Sequence, residues 1–246
     1  MSRASVETSA NRRDERRERI AALSGVAFVV LLLVHAALQA GNLPTLTDPA
    51  DDVVRYLSDK KVEIQIGAYL QGLAVVAYVW FLGSLWHLLR RTEGGAGRLS
   101  VVAAAAIAVG IGLVAVHIAI LTGLALRADQ GFDAEVVSAL YLIAFMVLGM
   151  SSFACAAFTG AVGALVLRTG ALPRWFGGFS LTSALLWLLA GVGATTEDDL
   201  WGLVGLLAFL VWLTWTATAS VLVARRVPAA GLAGGQEPVR GERIAS

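Results

Sequence analysis

The sequence predicts an all-α polytopic membrane protein: six transmembrane helices in an antiparallel bundle, with both termini cytoplasmic. Three observations carry this. Of 246 residues, 57% are hydrophobic and only 15% charged, too little polar surface to cover a soluble domain. The apolar residues fall into six charge-free runs, each reaching the roughly 20 residues that a hydrocarbon layer of about 30 Å requires. The basic residues then alternate from side to side along the chain, as the positive-inside rule demands.

Residues 1–19 are polar and interleave Arg12, Arg13, Arg16, Arg17 and Arg19 with Asp14, Glu15 and Glu18, forming a charged cytoplasmic segment. The membrane domain follows over 20–226. Its first span, 20–41, exceeds the roughly 7 to 15 apolar residues of a signal peptide's core, so it is expected to be retained. The longest loop, 42–63, carries its own helix signal. Asp48 is placed to cap, Pro49 to occupy the first helical position, and Asp51 and Asp52 to favour the positive helix start. Val53, Val54 and Leu57 share a face, so this short helix is expected to cover the membrane surface.

The remaining spans are 64–89, 99–126, 136–167, 175–196 and 200–224. Gly170 and Pro173 punctuate the fourth loop as a helix end and a helix start. Thr196 and Asp199 resemble a capping box for the last helix. Residues 227–246, rich in Gly, Ala and Pro, are expected to form a disordered cytoplasmic tail. Short loops make sequential helices antiparallel neighbours.

Fifteen of the nineteen Lys and Arg residues fall on the side of the N-terminus, the second and fourth loops and the tail. That side is therefore read as cytoplasmic. Trp86 and Trp175 then sit at the inner interface and Trp201 at the outer one. Only Lys60 and Lys61 are lysines, an arginine bias pointing to a GC-rich bacterial genome and hence a bacterial plasma (inner) membrane.

Composition also excludes functions. No basic stripe is interleaved with aromatics, so nucleic acid is not an expected partner. A single cysteine, Cys155, forms no disulfide framework, redox pair or thiolate cluster and reads as a core thiol. No Asp, Glu, Lys or Arg occurs within the six runs, which lowers the class of ion-coupled transporters and proton pumps. All five prolines lie outside the spans, so no proline-broken helix builds a midplane site. Ser151, Ser152 and Cys155 have no nearby base, so no catalytic residue is assigned and the chain is read as non-enzymatic.

What remains is uncharged. His35 and Gln39 share a face near the outer end of the first span, Gln71 and Tyr78 lie seven apart on the second, and His117 lies in the outer half of the third. By chain depth these can meet. The specific reading of His35 and His117 is axial ligation of haem or a metal; the ordinary one is hydrogen bonding between helices. Neither a cofactor nor a metal is assigned, because a zinc site wants three or four ligands with a supporting second shell. His87, beside Arg90, reads as interfacial.

Trp80, Trp187, Trp212 and Trp215 are too deep for the interfacial belt, and Trp212 and Trp215 share one face, with Thr214, Thr216 and Thr218 nearby as acceptors. They are either core material or the wall of a pocket for a lipid, quinone or other hydrophobic small molecule. Ser152, Ala156, Gly160 and Ala164 place small residues every fourth position, a pattern for close helix approach that leaves open an internal contact or a homo-oligomer.

The stretch Leu167-Arg-Thr-Gly-Ala-Leu-Pro-Arg-Trp-Phe-Gly177, after a glycine-rich fourth span and before an apolar fifth, resembles the fourth-to-fifth helix loop of the bacterial six-helix integral membrane family termed domain of unknown function 4386. The order of parts is also similar: a charged start, an outer loop with a short Val53–Leu57 helix, a second span ending in Leu88-Leu-Arg-Arg91, and paired closing helices. The resemblance covers roughly 20–226. It implies the six-helix architecture and no activity, and Arg168, Arg174 and Trp175 are expected only to hold helix ends at the interface.

The expected function is a membrane module that binds a hydrophobic small molecule or a membrane protein partner. The alternatives are an uncoupled small-molecule permease and a histidine-ligated haem or metal protein.

Overall fold

The computed structural model describes the backbone over 3–39, 43–194 and 199–233, and side chains over 17–39, 43–193 and 200–226. Seven α-helices are formed: α1 (Arg3–Leu38), α2 (Ala50–Asp59), α3 (Lys61–Glu93), α4 (Arg98–Arg127), α5 (Ala134–Thr169), α6 (Arg174–Ala190) and α7 (Asp199–Ala233). Short 3-10 turns follow α4 and α6 at Ala128–Gln130 and Gly191–Ala194, and no strand occurs among the described residues. All of these helices except α2 are long and apolar enough to cross a membrane.

The helices stand in chain order around a ring. Each of α3 to α7 packs on its predecessor, apart from the short α2, and α1 packs on both α3 and α7 to close the circle. The outer wall is apolar: Val30, Val79, Trp80, Val109, Leu185 and Leu203 are all more than half exposed. Such a belt is a liability in water and the natural face of a protein in lipid.

Several boundaries differ from the sequence expectation, for physical reasons. Charged residues at helix ends cost nothing once the helix leaves the hydrocarbon. Hence α3 starts at Lys61 and ends at Glu93, about 50 Å of helix for a layer of about 30 Å. The residues at 40–42, where the first span was expected to end, lie outside the described residues, as does Thr196 of the expected capping box. At the other terminus α7 continues past Pro228 to Ala233, into the tail expected to be disordered. The rest of the tail lies outside the described residues.

Asp48 does not cap α2. Its carboxylate instead takes the Thr45 N–H (2.9 Å) and the Thr45 hydroxyl (2.8 Å), closing the turn ahead of the helix. Extended Pro49 then stands at the cap position rather than inside the first turn. The short helix is a cover, with Val53 and Leu57 buried against Ile64, Ala125, Val137 and Tyr141.

The turn after α5 is tightly made. Gly170 adopts the left-handed conformation (φ 67°) and its N–H returns to the Val166 carbonyl at 2.9 Å, while Ala171 and Leu172 plug into the core at 3% and 1% exposure. Arg168, Arg174 and Trp175 face outward. This end of the bundle, which also carries Arg90, Arg91, Arg98, Arg225 and Arg226, is the arginine end; the opposite one is the α2 end.

Near the arginine end the ring is filled. Phe81, Leu85, Phe158, Leu165 and Trp215 are each no more than 2% exposed. Close approach depends on glycine: a Cβ on Gly163 of α5 would stand 3.0 Å from the Gly177 carbonyl oxygen of α6. Small residues every fourth position thus serve an internal contact, where Gly160 also faces Ala184, and Gly163, outside that register, meets the α6 backbone itself.

Candidate functional site

Toward the α2 end the ring does not fill. A cavity of about 700 Å³ opens between all six long helices, lined by apolar and aromatic side chains and, among the described residues, by no charged one. The size falls within the range of small-molecule sites, and so does the chemistry, an apolar wall with a few convergent polar groups.

The helical period builds the wall. On α1, Phe28, Leu32 and His35 follow at four- and three-residue steps, with Gln39 just past its end; on α3, Ile64, Gln71 and Tyr78 follow at sevens; α4 supplies Ile107, Ile111, Val114, His117 and Leu121. Phe145, Trp187 and Trp212 come from α5, α6 and α7. Tyr78 lies about 25 Å along α3 from Lys61, and Trp212 about 20 Å along α7 from Asp199, so the cavity reaches well into the bundle.

Six of the seven side chains singled out from the sequence line this one cavity: His35, Gln39, Gln71, Tyr78, His117 and Trp212. Trp215 does not. It is fully buried one turn nearer the arginine end, donates its indole N–H to Ser180 Oγ at 2.7 Å and stacks on Phe176. Its acceptor is a serine on α6, not a neighbouring threonine; Thr214 spends its hydroxyl on the Leu210 carbonyl. Trp80 is 66% exposed on the outer wall.

The two histidines line the same cavity and are held differently. His117 is 8% exposed, meets Phe145 edge-on, and its Nδ1 lies 2.9 Å from the Ala144 carbonyl. A carbonyl only accepts, so Nδ1 carries the proton and Nε2 is left as an acceptor. His35 packs on α3 at Gly67, where a Cβ would stand 2.7 Å from its Nδ1. That nitrogen is buried without a well-formed hydrogen bond.

An aromatic cluster forms the deep wall. Phe28 stacks on Tyr78 at 4.3 Å, Trp212 meets both edge-on at 5.3 and 5.6 Å, and Trp187 meets Trp212 at 6.3 Å. The Trp187 and Trp212 indole nitrogens and the Tyr78 hydroxyl are buried and unpartnered. The hydroxyl lies beside Thr216 and Trp212 without a well-formed bond to either.

At the mouth, Tyr141 donates to the Pro44 carbonyl at 3.1 Å and so ties the loop before α2 to α5. Tyr56 of α2 lines both this cavity and a smaller polar recess with Asp48, Asp52, Arg55, Asp59 and Lys60. Burial, reinforced by the Glu63 carboxylate, pushes the Tyr56 phenol above its usual range, so it stays a neutral hydrogen-bonding group.

A metal fits this donor set poorly, because no group of three or more His, Cys, Asp or Glu gathers among the described residues. Cys155 lies in the wall near Gly110 rather than beside either histidine as a third ligand.

Phe28, Tyr141, Phe145 and Trp201 also line the cavity and were not picked out from the sequence as pocket residues. For Phe28 the signal was the helical register with His35 and Gln39. The others lie inside apolar runs or at an interface, where sequence alone does not separate a cavity wall from a lipid face. No family model matches the chain, and no curated protein or solved structure is significantly similar to it.

Proposed function

We propose that the protein is a non-enzymatic membrane module that holds a hydrophobic small molecule between its helices. One observation carries this: a cavity of about 700 Å³ between the six long helices, lined by apolar and aromatic side chains with a few polar ones and, among the described residues, by no charged one.

Binding is favoured over passage by the filled arginine half of the ring, where Phe81, Phe158 and Trp215 leave no more than 2% of their surface exposed. The test is native mass spectrometry of the protein released from mild detergent. The expected result is a retained apolar molecule whose mass disappears when the half-buried lining residue Val114 becomes Trp. A folded wild-type protein that neither retains nor takes up any apolar ligand refutes the reading.

A haem held by His35 and His117 is a second reading, favoured by their shared cavity and by the Nδ1 bond to Ala144, which leaves His117 Nε2 as the unprotonated nitrogen. A Soret band lost on replacing both histidines would establish it, and a colourless protein without retained metal would remove it.

The arginine end is proposed to be cytoplasmic, which places both termini inside a bacterial inner membrane and opens the cavity to the outer side. The basic asymmetry supports this. A reporter inserted at residue 131 is expected outside and one at 171 inside; the reverse pattern overturns the orientation. Membership of the six-helix family of domain of unknown function 4386 is proposed on the Arg168–Gly177 turn and the order of the helices.

A further inference from the structure

We infer that the ligand of this cavity carries a neutral hydroxyl group, of an alcohol or of a phenol, and donates its proton to His117 Nε2 while its apolar part lies toward the aromatic deep wall. The inference rests on the cavity reading above and adds the recognised group and its orientation.

The polarity of His117 is set by its other nitrogen. Nδ1 lies 2.9 Å from the Ala144 carbonyl, which only accepts, so Nδ1 carries the proton of the neutral ring and Nε2 offers a lone pair. No carboxylate lines the cavity among the described residues to balance an imidazolium, which keeps the ring neutral. The side chain is 8% exposed and is held in place by that bond and by Phe145, edge-on at 5.2 Å. Among the cavity residues, the polar atoms sealed off without a partner are His35 Nδ1, the Tyr78 hydroxyl and the Trp187 and Trp212 indole nitrogens. His117 Nε2 is not one of them and bonds to no described residue, so the surface it keeps is turned to the cavity that its ring lines. Its missing partner is a donor supplied from the cavity.

Depth sets a second uncharged group at the same level. His117 lies about 15 Å along α4 from Arg127, and Gln71 about 15 Å along α3 from Lys61, on helices that pack together. The Gln71 carboxamide lines the cavity, is not sealed off and has no partner among the described residues. Its N–H can meet the oxygen of a group whose proton goes to His117. A protonated amine in that position would be an uncompensated cation in a low-dielectric site, and a carbonyl or ether has no proton to give. A hydroxyl gives one and stays neutral. Deeper in the bundle Phe28, stacked on Tyr78 at 4.3 Å, and Trp212 offer an apolar bed for the attached chain or ring.

In lipid nanodiscs, the affinity of the full-length protein is measured for octylphenol and dodecanol, each beside its methyl ether, which keeps the oxygen and loses the proton. His117→Asn keeps a side-chain N–H for the Ala144 carbonyl and loses the acceptor at the Nε2 position; His117→Gln restores a carboxamide oxygen there. The ratio of hydroxyl to ether affinity is expected to fall about 2- to 13-fold in His117→Asn, the worth of one hydrogen bond, and to be retained in His117→Gln. In the wild-type protein the Nε2 signal of His117 in nitrogen NMR should move on adding the hydroxyl ligand and not the ether, a readout independent of how the variants fold. A selective fall for the phenol alone, or for the alcohol alone, supports the inference and identifies the source. Equal change for hydroxyl and ether, no change for either, or a fall in His117→Gln as large as in His117→Asn overturns hydroxyl recognition while cavity binding stands. Failure of all four ligands to bind overturns both.

Discussion

Replacing Gly163 by Ala tests the packing that shapes the bundle. The added Cβ would stand 3.0 Å from the Gly177 carbonyl oxygen and 3.0 Å from Leu181 Cγ and Cδ2. The leucine tip can turn, since Leu181 is 42% exposed, but the carbonyl oxygen is part of α6 and moves only with it. Overpacking of this kind costs about 1–3 kcal/mol, and the better helix propensity of Ala returns about 1 kcal/mol, leaving a net loss of about 0–2 kcal/mol. Gly177→Ala should cost less, because its nearest neighbour is the Leu167 side chain at 2.8 Å, a partly exposed group that can swing into lipid. Gly178→Ala, with nothing within 4 Å of its Cβ, should be neutral or slightly stabilising. The assay is reversible unfolding in mixed micelles of increasing denaturing detergent, followed by tryptophan fluorescence. The predicted order of stability is Gly178→Ala, then Gly177→Ala, then Gly163→Ala. Equal stability of Gly163→Ala and Gly178→Ala would refute the close contact between α5 and α6.

Two further substitutions separate core from site. Trp215→Phe removes the 2.7 Å bond to Ser180 Oγ and part of a fully buried ring, so thermal unfolding should show a loss of about 1–3 kcal/mol; unaltered stability would mean that the buried indole bond is not formed. Glu93→Ala removes the carboxylate that takes the Leu99 N–H (2.8 Å), the Ser100 N–H (2.9 Å) and the Ser100 hydroxyl (2.5 Å) at the start of α4. The expected cost is about 0.5–2 kcal/mol, as for loss of an N-terminal cap, with Glu93→Gln intermediate. A thermal midpoint unmoved in both variants would count against that cap.

Much of this protein was legible in its residues. Charge-free runs of sufficient length specify spanning helices, because lipid admits no unpaired backbone; the short loops then order the helices around the ring. His35, Gln39, Gln71, Tyr78 and His117 could be marked as candidates because a polar group within an apolar run is conspicuous. What marked them did not say whether they point at a neighbouring helix, at lipid or into a hollow. Trp212 and Trp215 show the difficulty most plainly. They lie three residues apart on nearly one face of α7, yet one lines the cavity and the other is sealed into the core, because the ring fills at one depth and opens at another. Trp80 and Trp187 were equally deep by sequence, and the structure turns one to lipid and the other to the cavity.

The sequence by itself determined the class, the number of spans and the alternating sides, since these depend on the length and polarity of each segment alone. The turn from Arg168 to Gly177 was readable for the same reason: Gly170 and Pro173 act locally. Only the tertiary structure decided that six helices close a ring, that Gly163, outside the regular stripe of small residues, meets the backbone of α6, and that the far half holds a cavity. Those features arise from the relative rotation of helices whose surfaces are apolar on every side, and a helix apolar all round carries no sequence mark of which face turns inward.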